Sequence, residues 1–64
     1  MKQLVVSFYC VNKEKGNHYF YDQKFNGLDH HSNMLNATRC MLTYKPKKNY
    51  EVETISIEVN EVLV

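Results

Sequence analysis

Two cysteines, two glycines and one proline are all that this 64-residue chain has of the residues that staple, bend or break a backbone. Cys10 and Cys40 form no CxxC pair, and two thiols make a thin disulfide framework for a secreted domain of this length. They read as reduced, small apolar residues, with Cys10 aimed into the core. Gly16 and Gly27 stand alone as turn formers, so there is no glycine-rich loop to cradle a phosphate. No stretch approaches the ~20 apolar residues that a membrane helix needs. The apolar N-terminal run is broken at Ser7 and lacks a small-residue cleavage site, so no targeting segment is read and a cytoplasmic location is expected. Asn36-Ala37-Thr38 matches the glycosylation pattern, which carries no weight without an export signal.

Charge of one sign is missing too. Eight Lys plus Arg stand against seven Asp plus Glu, without the basic excess expected of a chain built mainly to bind nucleic acid. The charges are clustered, however. Lys45, Lys47 and Lys48 sit together, whereas Glu51, Glu53, Glu58 and Glu61 all fall in the last fourteen residues.

The usual carriers of chemistry are incomplete. His30 and His31 are adjacent and so point in different directions on a helix, while His18 lies on another element. No HxxxH, CxxC or carboxylate bracket completes a metal set, and no metal or cofactor is expected. A Cys–His nucleophile from Cys10 or Cys40 with His30 or His31 has no third orienting group. The chain reads as no enzyme.

What the sequence does contain is strand pattern. Residues 4–11, Leu-Val-Val-Ser-Phe-Tyr-Cys-Val, are apolar on both alternating phases, which fits a central strand. Residues 12–17 form a turn with Gly16 supplying positive φ, and residues 18–25 form a second strand. In the register that faces Asn12 with Asn17, Cys10 meets Tyr19, Phe8 meets Tyr21 and Leu4 meets Phe25. One hairpin face is then Leu4, Val6, Phe8, Cys10, Tyr19, Tyr21 and Phe25, with Gln23. The other is Val5, Ser7, Tyr9, Val11, His18, Phe20, Asp22 and Lys24. A slip of one residue would mix the sets, which is penalised wherever one face is buried.

Asn26-Gly27 ends the second strand. A helix follows, with Asp29 as N-cap and Ser32 as the competitor. Met34, Leu35, Thr38, Met41 and Leu42 share one side and are expected to face the core, with Asn33, Asn36, Arg39 and Thr43 outward. Pro46 stops the helix before a basic loop, Tyr44 to Asn49. From Tyr50 a period-two pattern begins, with Ile55, Ile57 and Val59 expected to join the core. A phase shift to Val62 and Val64 suggests a bulge near Asn60-Glu61.

The expected fold is thus α+β: one domain over residues 1–64, ordered ββαβ. A right-handed crossover gives a three-stranded antiparallel sheet of order 2-1-3 with one helix on one face. The other face would show Val5, Tyr9, Val11 and Phe20 as an apolar patch rimmed by Ser7, His18, Asp22 and Lys24, and such patches mark interaction sites. The expected function is non-enzymatic binding through Val5, Tyr9, Val11, His18, Phe20, Asp22 and Lys24. The target would be a protein partner or a second copy (a homodimer), self-association running through this face or through the third strand as an edge, with no membrane and no small-molecule substrate. Small accessory proteins of phages and mobile elements that inhibit host proteins share this style. The alternative is a single-strand nucleic-acid binder using the sheet aromatics with Lys13, Lys15 and Lys24.

Overall fold

Antiparallel pairing across the Lys13–Gly16 turn organises everything else. A computed structural model of the protein describes residues 2–61. Its elements are β1 (Lys2–Val11), β2 (His18–Phe25), α1 (His30–Thr43) and β3 (Glu51–Glu61). The sheet order is β2-β1-β3, all antiparallel, with β1 central. The hairpin register is the expected one: Cys10 opposite Tyr19, Phe8 opposite Tyr21, Leu4 opposite Phe25. The turn closes through Asn12 and Asn17, the Asn12 N–H donating to the Asn17 carbonyl at 2.8 Å. Asn12 Oδ1 also accepts from the Glu14 and Lys15 amides, and Gly16 sits at φ 75°, a conformation that costs glycine nothing.

The core is small. Leu4, Val6, Phe8 and Cys10 from β1 meet Ala37 from α1, with Tyr19, Phe25, Cys40, Met41, Tyr44, Tyr50 and Val52 packed around them. Phe8 is fully buried, stacked on Tyr44 at 4.2 Å between ring centroids and tilted against Tyr21 at 6.1 Å.

The helix starts as expected. The Asp29 side chain accepts from the His31 N–H at 3.1 Å and from the Ser32 hydroxyl at 2.8 Å. The Ser32 bond, then the His31 amide, holds its carboxyl below the usual carboxylate value. The face that the helix buries corrects the sequence expectation. Asn33 and Ala37 are buried, with Cys40 and Tyr44 half-buried below them; of the expected stripe only Met41 packs on the core, whereas Met34, Leu35, Thr38 and Leu42 are exposed. Two features explain the rotation. The Asn33 carboxamide binds both backbone groups of Gly27, donating to its carbonyl at 2.9 Å and accepting from its N–H at 3.1 Å. Ala37 is small enough to let the helix lie close on β1. A Leu35 or Leu42 in that place would prop it off the sheet. A Cβ at Gly27 would stand 3.0 Å from Asn33 Oδ1 and press on the carboxamide that binds it.

Two further expectations are corrected on β3. Ile55, Ile57 and Val59 do lie on the helix side, opposite Phe8, Val6 and Leu4. The helix, however, packs over β1 and β2 and leaves them 42%, 49% and 55% exposed. The bulge is not at Asn60-Glu61, where the ladder runs regularly. It falls where Tyr9 pairs with Thr54 but Cys10 with Val52, leaving Glu53 as the extra residue. The phase shift to Val62 and Val64 lies outside the described residues.

Tyr19 fastens the basic loop. Its hydroxyl accepts the Lys47 N–H at 3.0 Å and shares a hydrogen bond with the Tyr44 hydroxyl at 2.9 Å. Lys47 Nζ stands 4.7 Å over the Tyr19 ring, and Tyr50 meets it edge-on at 5.0 Å. Burial, then the Tyr19 hydroxyl, pushes Tyr44 well above the ordinary tyrosine value of 10.0. A folded-state pKa above the unfolded one means that stability is complete below about pH 10 and falls as pH rises beyond it. Urea midpoints measured between pH 9 and pH 11.5 should therefore decline, and Tyr44→Phe should flatten that decline while costing about 1 kcal/mol at pH 7.

Candidate functional site

β1 and β2 alternate, so every second residue points away from the helix. On that open face the register sets Phe20 beside Tyr9 and His18 beside Val11. The rings of Tyr9 and Phe20 are 4.9 Å apart, those of Tyr9 and His18 5.6 Å, and those of His18 and Phe20 6.2 Å. Phe20 is 67% exposed, Tyr9 and Val11 are half-buried, and His18 is exposed. This cluster lies at the turn end of the hairpin.

Farther along the same face the surface becomes polar. Asp22 and Ser56 flank Ser7 in one row, and Lys24 and Glu58 flank Val5 in the next. Val5 is only 8% exposed, so it contributes almost nothing to a contact surface. Long side chains cover apolar neighbours with their methylene stems while keeping their charges in water, and Lys24 and Glu58 stand where they can do so. Of the residues assigned to binding from sequence, the structure thus brings Tyr9, Val11, His18 and Phe20 together, sets Asp22 and Lys24 beyond them, and withdraws Val5.

Lys13, at the hairpin turn, is ion-paired with Glu51 at 3.0 Å. Glu51 lies opposite Val11, on the open face. The pair is solvent-exposed on both sides, where such contacts stabilise little, and it ties the turn to the start of β3.

The histidines and cysteines are dispersed. His18 is on the open face, His30 and His31 are in the first turn of α1, Cys10 is buried in the core and Cys40 is half-buried on the helix. Among the described residues no three His, Cys, Asp or Glu side chains converge as a metal cluster would require, and no pocket is enclosed. No helix among them is long and apolar enough to cross a membrane.

A second exposed surface lies on residues that the sequence reading assigned to the core. Ile55, Ile57 and Val59 form an uncovered β-branched strip on the helix side of β3. Its signal in the sequence is the period-two alternation of β3, which gives the face but not the exposure. Comparison of the chain with protein-family models, curated proteins and solved structures finds no match.

Proposed function

We propose that the chain is a small non-enzymatic binding module that acts by occupying the surface of a partner protein through the open face of its sheet. That is the mode of action by which phage and mobile-element accessory proteins inhibit host proteins. The observation that carries the reading is the exposed aromatic cluster of Tyr9, His18 and Phe20. Phe20 keeps two-thirds of its surface in water, although a strand could carry a polar residue there at no cost to the core. Aromatic side chains anchor interfaces because they bury large area at low cost in side-chain freedom. These three stand on paired strands, so little backbone ordering is left to be done on binding.

Single-stranded nucleic acid is the second reading, since Tyr9 and Phe20 could stack bases with Lys24 nearby. Against it stand Asp22, Glu51 and Glu58 on the same face and the engagement of Lys13 by Glu51.

Three variants separate these readings. Tyr9→Ala with Phe20→Ala should stay folded, because the core lies on the other face, and should lose the proteins that the unaltered chain captures from a lysate. Anchor truncations of this kind cost roughly 2 kcal/mol or more each. The triple variant Lys45→Ala, Lys47→Ala, Lys48→Ala should keep them. Capture that survives in the folded aromatic variant would move the binding surface elsewhere. Oligonucleotide binding with a steep salt dependence, lost in the aromatic variant and on Lys24→Ala, would establish nucleic acid instead.

A further inference from the structure

The helix-side strip of β3 has no role in that binding surface, and it points to a different contact. β3 is eleven residues long and forms one edge of the sheet. Edge strands of monomers are guarded by bulges, prolines or charges pointing into the apolar face. On β3 the bulge at Glu53 and the Lys13–Glu51 pair guard one end, Glu61 stands at the other, and Glu58 points to the open face. From Thr54 to Asn60 the helix-side phase is Ile55, Ile57 and Val59 without a charge. The other edge, β2, presents Tyr19, Tyr21, Gln23 and Phe25 on its helix side, where α1 lies over it.

The dimensions agree. The molecule is a slab of 43 × 21 × 13 Å with a radius of gyration of 13.4 Å, against about 11 Å for a compact chain of this length. It exposes 4973 Å², whereas a folded monomer of its mass exposes about 4,300 Å². The excess over the whole molecule, roughly 700 Å², is of the order of the ~800 Å² that one partner contributes to a standard interface.

We infer that β3 pairs with β3 of a second copy of this chain, antiparallel about a two-fold axis at Ile57, to make a continuous six-stranded sheet. Antiparallel partners share a face, so this register sets Ile57 against Ile57 of the second copy and Ile55 against its Val59. Cross-strand β-branched pairs of this kind stabilise a sheet. On the open face Glu58 meets Ser56 and Thr54 meets Asn60, so no glutamate faces a glutamate in the central rows. Glu53 and Glu61 meet only at the ends, where Glu61 also has Lys2 opposite it on β1. The pairing leaves both aromatic clusters uncovered on one side of the joined sheet and does not depend on what they bind.

The test is sedimentation equilibrium on four proteins. The unaltered chain should sediment at twice 7.6 kDa. Ile57→Lys should remain folded by circular dichroism, since the side chain is half in water already, and should associate at least ~100-fold more weakly because the change occurs twice at the axis. Tyr9→Ala with Phe20→Ala should dimerise normally. Register is read by oxidation in a Cys40→Ala background. Ile57→Cys should cross-link to itself, because directly opposed strand positions lie within disulfide reach. Ile55→Cys should not, until mixed with Val59→Cys. A monomeric unaltered chain, or an Ile57→Lys variant that still dimerises, would overturn the inference. Dimerisation lost in the aromatic variant but kept in Ile57→Lys would also overturn it and assign the open face to self-association instead.

Discussion

Replacing Phe8 with alanine is expected to leave the chain largely unfolded at 25 °C. Phe8 is fully buried in the central strand and joins the two sides of the core: Tyr44 stacks on one face of its ring and Tyr21 packs beside it. Truncating a buried phenylalanine costs about 3–5 kcal/mol through lost burial and the cavity left behind. A domain of this size has roughly 3–10 kcal/mol in total at 0.05–0.15 per residue. The loss therefore takes most of the available stability. Urea denaturation followed by far-UV circular dichroism measures it. A variant within 1 kcal/mol of the unaltered chain would mean that the core is elsewhere, most simply under Met34, Leu35 and Leu42. Leu42→Ala provides the matching control and should stay within about 0.5 kcal/mol, as surface substitutions do.

The second large effect concerns a polar residue. Asn33→Ala should destabilise by about 2–3 kcal/mol, from two lost hydrogen bonds and a void at a buried position. Both bonds go to Gly27, so they close the turn between β2 and α1 and set the rotation of the helix on the sheet. Asn33→Leu should be no better, because its added apolar area cannot satisfy the Gly27 groups. Asn36→Ala, on the exposed side, should be neutral or slightly stabilising, since alanine is the better helix former. Chemical denaturation of the three variants ranks them. An Asn36 effect larger than that of Asn33 would show the helix rotated to the face its apolar stripe suggests.

That rotation marks the boundary of what was legible in the sequence. The hairpin register could be read because strand side chains alternate strictly and a slip would have mixed Cys10, Phe8 and Val6 with His18, Asp22 and Lys24. The opposition of Tyr9 and Phe20 followed from it. Asp29 was legible as an N-cap because capping depends on residues within one turn. The buried helix face was not legible, because Asn33 finds its partner in the Gly27 backbone and Ala37 is chosen by its closeness to β1. Both are tertiary facts, and hydrophobic periodicity selects a face rotated away from theirs, sharing only Met41 with it. The exposure of Ile55, Ile57 and Val59 was hidden for the same reason: period-two alternation says which face a residue takes, not whether a helix covers it. Val5 shows the converse, an open-face residue covered by its neighbours.

The pairing of β3 is the claim on which the quaternary account rests, and amide hydrogen exchange at several protein concentrations tests it most directly. In an edge strand, alternate amides point to solvent and exchange freely, while the others bond to the neighbouring strand. If two copies join at β3, both alternating sets between Thr54 and Asn60 should be protected. The protection of the outward set should grow with concentration, while the outward amides of β2 stay fast throughout. Outward amides of β3 that exchange as fast as those of β2 at every concentration would contradict the account.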